Sequence, residues 1–167
     1  MHQLKDLNHT KLDSSTAILF IDLDNFKPVN DTYGHQVGDK VLQGVARILR
    51  ELAQPEDIIG RFGGDEFVLL IKQVRNLKSL TELAQKIVEA MGTLDYEGKD
   101  DVEISCSLGA ALAPQDGTDL SKLISVADQR LYEAKHRGKN MAVLTDPPEP
   151  ATANEPSGAD AALVTRA

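Results

Sequence analysis

Cysteine, tryptophan and basic residues are scarce in this chain of 167 residues. Its single cysteine, Cys106, excludes an internal disulfide framework and any metal site built from several thiolates. Tryptophan is absent, and three tyrosines and four phenylalanines are too few to form a stacking platform for single-stranded nucleic acid. The 26 acidic residues outnumber the 18 basic ones, which gives a formal net charge of −8. This balance excludes a protein that coats nucleic acid.

Long hydrophobic runs are missing as well. The longest uninterrupted apolar segment, residues 17–21, is far shorter than the roughly 20 residues that a membrane-spanning helix needs. The first residues, MHQLKDLNHTK, contain no apolar segment of the kind found in secretory signals. We therefore expect a cytoplasmic protein without a membrane span, of a length that fits one domain.

The spacing of apolar residues alternates between the patterns of strands and helices. One continuous apolar run indicates a strand covered on both faces, and two short runs around Gly63-Gly64-Asp65-Glu66 indicate a β-hairpin. The predicted strands are residues 16–22, 58–62, 67–71, 102–108 (alternating, and so half-buried) and 141–144. The predicted helices, each with one apolar stripe, are residues 37–52, 77–91 and 120–134.

The resulting order, β-α-β-β-α-β-α-β, is typical of an α/β (α+β) sandwich. We expect a ferredoxin-like βαββαβ core with an additional helix and strand, in which helices flank a mainly antiparallel central sheet. Residues 16–145 form this domain in our prediction. Residues 146–167 are crowded with proline, alanine and acidic side chains and lack apolar periodicity, so we predict that they form a disordered tail.

Four acidic residues stand at the predicted strand ends. Asp22 and Asp24 follow the most apolar strand, while Asp65 and Glu66 occupy the hairpin tip. If the first strand and the hairpin are neighbours in the sheet, their carboxylates converge. Converging carboxylates repel one another unless a hard cation such as Mg²⁺, which prefers oxygen ligands, lies among them. From the spacing alone, an ordinary role is the more common one: Asp24 as a helix cap and the hairpin acids as solubilising turn residues.

A second group of polar residues lies between 26 and 39. Amide and carboxylate groups there match the hydrogen-bonding edge of a guanine, and Lys27 could meet a phosphate. Taken singly, each residue also has an ordinary role: Asp39 as an acid at a helix N-terminus, His35 as a loop histidine and Lys27 as a solvated charge. A third group, Lys135, His136, Arg137 and Lys139, follows the last helix, where cations also complement the helix dipole without any ligand. The sequence contains no Walker motif, so a nucleotide site would need another scaffold.

The heptapeptide at residues 61–67, Arg-Phe-Gly-Gly-Asp-Glu-Phe, resembles the signature of the GGDEF diguanylate cyclases. The further motifs in the family's order are Ile21-Asp22-Leu23-Asp24-Asn25-Phe26-Lys27, Asn30-Asp31-Thr32-Tyr33-Gly34-His35, Gly38-Asp39, Ser107-Leu108-Gly109, Ala127-Asp128, and Tyr132-Glu133-Ala134-Lys135 with Gly138-Lys139-Asn140. The resemblance covers roughly residues 17–143, and several ordered motifs are far more specific than one.

The resemblance implies a polymerase-palm-like fold and the condensation of two GTP molecules into cyclic di-GMP, with release of two pyrophosphates. It implies a Mg²⁺ cofactor, for which Mn²⁺ can substitute, and a homodimer in which each domain holds one GTP. The metal ligands would be Asp22, the Leu23 carbonyl, Asp65 and Glu66. The catalytic residues would be Asp65, Glu66 and Lys27. The substrate-binding residues would be Phe26, Asn30, His35, Asp39, Lys135 and Lys139. The alternative from another functional class is a catalytically silent GTP-binding or regulatory module.

Three departures from the family pattern carry expectations of their own. The family's Arg-x-x-Asp product-inhibition site is degenerate here, because Gln54 replaces the arginine while Asp57 is kept, and a neutral amide cannot bind phosphate as a guanidinium does. Lys139 stands where arginine is frequent, which keeps the charge but loses the fork geometry. Residues 1–15 form a shortened amino-terminal segment, too short for the helix that usually precedes the acidic strand.

Overall fold

The computed structural model describes residue 12 and residues 15–97 and 99–145. In chain order the elements are β1 (Ala17–Asp24), α1 (Phe26–Tyr33), α2 (His35–Leu52), β2 (Ile58–Arg61), β3 (Glu66–Ile71), α3 (Leu77–Met91), β4 (Ser105–Leu112), α4 (Leu120–His136) and β5 (Ala142–Val143). No helix among these residues is long and apolar enough to cross a membrane. The predicted tail and most of the amino-terminal segment lie outside the described residues.

The five strands form one sheet in the order β2-β3-β1-β4-β5. The central strand, β1, pairs antiparallel with both β3 and β4, and β2 pairs antiparallel with β3. Only the short β5 runs parallel to its neighbour, β4. The predicted fold class, a mixed α/β fold with a mainly antiparallel sheet flanked by helices, is therefore confirmed.

The uninterrupted apolar run of β1 follows from its central position, because both of its faces are buried. Leu19 and Ile21 point into a core shared with α2 and α3. Ile18 and Phe20 point to the opposite face, where they pack in a second core against α4. Successive side chains of a strand alternate between the two faces of its sheet, so the part of a strand that is covered on both faces favours apolar residues at every position.

The structure adds one helix to the predicted elements and corrects a strand. Residues 26–33, where no element was predicted, form α1, and Gly34, with φ of 82°, separates this helix from α2. The strand predicted at residues 102–108 begins only at Ser105, and it is buried on both faces rather than on one. Its second buried face consists of small residues, including Gly109 and Ala111, which do not stand out as a hydrophobic pattern.

Helix α4 lies unusually close to β4. A Cβ atom built on Gly109 would lie 2.0 Å from the carbonyl oxygen of Ala127 and 2.3 Å from the amide nitrogen of Leu131, so the helix backbone occupies the space of a side chain. The same turn of α4, between Ala127 and Leu131, carries the buried Arg130. Its guanidinium donates hydrogen bonds to the Ala110 carbonyl and to both carboxylate oxygens of Asp116. These contacts determine how α4 lies on the sheet.

The close approach at Gly109 predicts that Gly109→Ala destabilises the fold by about 3 kcal/mol, the upper end of the range for overpacking, since the contacting atoms are helix backbone that cannot move independently. Gly92→Ala is the matched control, because a Cβ atom there would meet only the Glu89 carbonyl, at 3.4 Å. Urea unfolding followed by circular dichroism measures both variants. Equal stability of the two variants would contradict the role assigned to the close contact.

Candidate active site

The end of β1 and the tip of the hairpin meet at one edge of the sheet. In the register of the antiparallel pair, Asp22 lies directly opposite Glu66, and the Leu23 N–H donates to the Asp65 carbonyl at 3.3 Å. Lys135, in the last turns of α4, reaches the same point, and its Nζ lies 2.7 Å from Oδ1 of Asp22. We call the three acidic side chains Asp22, Asp65 and Glu66 the acidic edge.

The acidic edge carries more negative than positive charge. Burial raises the pKa of Asp22 above its ordinary value and the charges of Asp65 and Asp24 add to the rise, although the hydrogen bond and charge of Lys135 oppose it. Burial also raises the pKa of Glu66, and repulsion from the charges of Asp22 and Asp65 raises it further. The single ammonium of Lys135 therefore compensates these three carboxylates only in part.

This donor set fits a hard divalent cation. As they stand, the described residues include no group of three or more histidine, cysteine or acidic side chains arranged tightly around one point. The donors at the acidic edge are nevertheless all oxygens, and their mutual repulsion is relieved when a cation binds among them. Asp22, Asp65 and Glu66, together with the backbone carbonyl of Leu23, are the groups that would hold such an ion.

The hairpin tip is shaped by two residues with different tasks. A Cβ atom on Gly63 would lie 2.4 Å from Oε2 of Glu66, so the glycine leaves the space in which the Glu66 carboxylate sits. The Arg61 Nε donates to the carbonyls of Gly63 and Gly64, at 3.1 Å in both cases. Arg61 stands in the signature heptapeptide, but no side-chain pattern reveals its role, because its partners are backbone atoms.

The polar residues between 26 and 39 lie around the junction of α1 and α2. A Cβ atom on Gly38 would lie 1.9 Å from Oδ1 of Asn30 and 3.2 Å from the ring of Phe26, so Asn30 packs directly on the first turn of α2. Phe26 is buried in the core, and its ring, like Asn30, lies against Gly38 rather than facing solvent. Lys27 and His35 are exposed on either side of this junction.

Asp39 lines a groove of about 340 Å³ between α2 and β2. Leu42 and Ile59 form apolar parts of its wall, while Arg50 and Arg61 add two cations. The groove thus combines an acceptor, apolar surface and positive charge next to the hairpin, which are the features that a nucleotide with a flat base requires.

The basic residues at the end of α4 differ in what they contact. Lys135 pairs with Asp22, but Arg137 pairs with Glu133 at 2.7 Å, and the His136 ring lies against the Tyr132 ring at a tilt of 37°, with ring centroids 3.9 Å apart. Lys139 lies in the loop that follows, with φ of 64° and an exposed side chain. Of the four, Lys135 therefore lies at the acidic edge.

Asp24 does not cap α1, which corrects one of the two roles considered for it. The residue preceding the helix is Asn25, in a left-handed backbone conformation, and no side chain caps the helix. Asp24 is buried, and its carboxylate accepts hydrogen bonds from Ser105 and Ser107 of β4. It therefore belongs to the same sheet end as Asp22 but has different partners.

Gln54 and Asp57 lie in the connection from α2 to β2, at the far end of the hairpin from its tip. They line a cavity of about 560 Å³, whose charged lining residues are Glu51, Glu56, Asp57, Glu82, Arg75 and Lys86. Both carboxylate oxygens of Asp57 accept backbone N–H groups, from Gln54 at 2.9 Å and from Lys72 at 3.1 Å. Acidic groups outnumber basic ones in this cavity, so it does not favour an anionic ligand.

Comparison with known proteins identifies the domain. A family model described as "Diguanylate cyclase, GGDEF domain" matches residues 2–141. The bifunctional diguanylate cyclase/cyclic di-GMP phosphodiesterase MucR of Pseudomonas aeruginosa is 44% identical over 128 residues, which cover 77% of this chain and 18% of MucR. The probable diguanylate cyclase DgcT of Escherichia coli is 34% identical over 132 residues, which cover 78% of this chain and 29% of DgcT.

A solved structure supports the same assignment. The crystal structure of the GGDEF domain of YfiN from Pseudomonas aeruginosa superimposes with a TM-score of 0.74 at 31% identity, covering 87% of this chain and 89% of that domain. The chain spans less than a third of the length of either curated relative.

The contact between Gly63 and Glu66 predicts that Gly63→Ala lowers the affinity for a divalent cation about tenfold, since the new methyl group displaces a carboxylate of the acidic edge. Isothermal titration with Mg²⁺ and Mn²⁺ measures this affinity. Gly92→Ala, remote from the acidic edge, is expected to bind as tightly as the unaltered chain. Unchanged affinity in Gly63→Ala would remove Glu66 from the set of metal ligands.

Proposed function

Because the chain belongs to the GGDEF family of diguanylate cyclases, we propose that it condenses two molecules of GTP into cyclic di-GMP and releases two pyrophosphates. The observation that carries the proposal is the acidic edge itself. Asp22 lies opposite Glu66 in the strand register, and the Asp65 carbonyl accepts a hydrogen bond from the Leu23 N–H. Carboxylates that hold a divalent cation beside a substrate phosphate are the usual arrangement for phosphoryl and nucleotidyl transfer.

In this proposal the base of GTP lies near the junction of α1 and α2. Asn30 and Asp39 hydrogen-bond the guanine edge, with His35 nearby and Phe26 supporting Asn30 from the core. An amide and a carboxylate together offer the acceptors and donors that distinguish guanine from adenine. The groove along Asp39, beside the hairpin, supports this placement.

The triphosphate extends from there toward the acidic edge. Lys27, Lys135 and Lys139 are the cations that contact its oxygens and stabilise the charge that grows on them during the reaction. The pairing of Lys135 with Asp22 supports its part, since it places an ammonium at the acidic edge. The negative charge of the triphosphate is thus matched locally, although the whole chain carries a net charge of −8.

A divalent cation, Mg²⁺ or Mn²⁺, held by Asp22, the Leu23 carbonyl, Asp65 and Glu66, would neutralise phosphate charge and acidify the attacking ribose hydroxyl. The 3′-oxygen of one GTP forms a bond to the α-phosphorus of the other, and the bond from that phosphorus to the pyrophosphate breaks. A hairpin carboxylate, Asp65 or Glu66, accepts the hydroxyl proton. The raised pKa of Glu66 suits this task.

Two copies of the domain are required, because each holds one GTP and supplies one attacking hydroxyl. The same step is repeated in the opposite direction to close the ring. The catalytic unit is therefore a homodimer whose sites face each other, and its formation limits the rate at low protein concentration.

Incubation of the purified chain with GTP and Mg²⁺, followed by chromatography, is expected to yield cyclic di-GMP at a rate that rises faster than linearly with protein concentration. Asp65→Asn is expected to lower the rate at least about 100-fold because it removes charge from the acidic edge. Asp95→Asn, the same change at an exposed residue, is the matched control. No product at high protein concentration, with GTP still bound, would favour the catalytically silent module instead.

Product inhibition through the cavity at Gln54 and Asp57 is expected to be weak. Gln54 stands in place of the arginine that would bind a phosphate, and both carboxylate oxygens of Asp57 already accept hydrogen bonds from backbone N–H groups. Added cyclic di-GMP should therefore inhibit the unaltered chain at least about tenfold less effectively than it inhibits Gln54→Arg, since a charge-assisted contact is worth about that factor. Equal inhibition of both proteins would show that this cavity does not control activity.

A further inference from the structure

We propose that Asp24, the last residue of β1, is a positioning residue whose carboxylate holds the loop 137–140 so that Lys139 faces the phosphates of GTP. The phosphate contact rests on the function proposed above. The anchoring of the loop rests on hydrogen bonds within the chain, and it can be tested without any nucleotide.

The Asp24 carboxylate is fully engaged by protein donors. The residue is 2% exposed. Its Oδ2 accepts the Ser105 hydroxyl at 2.9 Å and the Asn140 N–H at 3.0 Å, while the Ser107 hydroxyl lies 2.9 Å from Oδ1. Asp22, two residues earlier on the same face of β1, instead faces Lys135 and the hairpin acids. The two aspartates therefore have separate tasks: Asp22 belongs to the acidic edge, and Asp24 joins β1 to β4 and to the loop.

The loop 137–140 needs such an anchor because of its backbone. Gly138, Lys139 and Asn140 have φ values of 123°, 64° and 49°. Non-glycine residues adopt the left-handed region at a cost, so two in succession persist only where the surroundings hold them. The Lys139 N–H bonds to the Ala134 carbonyl of α4 at 3.1 Å. The Asn140 N–H bonds to Asp24, and this is the hydrogen bond that ties the loop to the end of β1.

The Lys139 side chain is exposed, and the anchor fixes its backbone beside the end of β1. Within the described part of the chain, its side chain pairs with no acidic residue, whereas Arg137 is held by Glu133. Since Asn140 is fixed to a residue two positions from Asp22, the neighbouring Lys139 lies near the end of β1. Loss of the anchor would let the loop relax, and the backbone of Lys139 would no longer be held at that end.

The chemistry of the site separates this role from that of a metal ligand. In Asp24→Asn, the remaining side-chain oxygen can accept the Asn140 N–H, and the new amide group can donate to the Ser107 hydroxyl, which accepts as readily as it donates. The anchor therefore survives in Asp24→Asn and is lost in Asp24→Ala. A ligand of a hard cation would respond differently, because a neutral amide oxygen replaces a carboxylate poorly in such a site.

Equilibrium dialysis with GTP and with guanosine tests the nucleotide side of the proposal. Asp24→Ala is expected to weaken GTP binding about tenfold, the value of one charge-assisted contact, and to change guanosine binding less than about twofold. Adding Lys139→Ala to Asp24→Ala should weaken GTP binding no further. Asp24→Asn and the control Ser105→Ala, which leaves the Asn140 hydrogen bond in place, should stay within about twofold of the unaltered chain. Equal loss of both ligands in Asp24→Ala, or a loss in Asp24→Asn as large as that in Asp24→Ala, would overturn the proposal.

Amide hydrogen exchange without nucleotide tests the anchor alone. Exchange at Asn140 is expected to rise about tenfold in Asp24→Ala, the effect of losing one protecting hydrogen bond, and to stay close to that of the unaltered chain in Asp24→Asn and Ser105→Ala. Unchanged exchange in Asp24→Ala would refute the anchoring whatever the nucleotide data show. An unaltered chain that binds no GTP would instead contradict the proposed function, and with it the phosphate contact of Lys139.

Discussion

The close contact between α4 and β4 is the constraint on which the rest of the site depends. At Gly109 the helix backbone occupies the volume of a side chain, and Arg130 anchors the same helix to the carbonyl of Ala110 and to Asp116. A helix seated this closely has little freedom to shift or rotate, because interiors are packed to the density of organic crystals. The position of Lys135 at Asp22, and the start of the loop that carries Lys139, both follow from it.

The central strand combines two properties that usually exclude each other. Its body is apolar on both faces and buries against two cores, yet it ends in two aspartates. The charges are tolerated because each has partners: Asp22 has the Lys135 ammonium, and Asp24 has two hydroxyls and an N–H group. The buried body of β1 keeps the strand rigid, as a binding site requires, and the aspartates at its end supply the negative charge.

Much of the fold could be predicted because the patterns are local. Helix α3 has its predicted bounds, and the hairpin lies where two short apolar runs flank a pair of glycines. Helix α1 was missed because only Phe26 and Val29 are buried in its eight residues, too few to show a helical period. The second buried face of β4 was missed because close packing against α4 requires small residues there, and small residues do not register as hydrophobic.

The motifs along the chain were enough to identify the family and the fold class and to single out the acidic residues as candidates, because each motif is a short run of neighbouring residues. They could not assign separate tasks to Asp22 and Asp24, which stand two positions apart in one motif. That distinction depends on long-range contacts: strand register places Glu66 opposite Asp22, and packing brings Ser107 and Asn140 to Asp24. Partners so distant in the chain are selected by the geometry of the whole sheet and its helices, which no local pattern encodes.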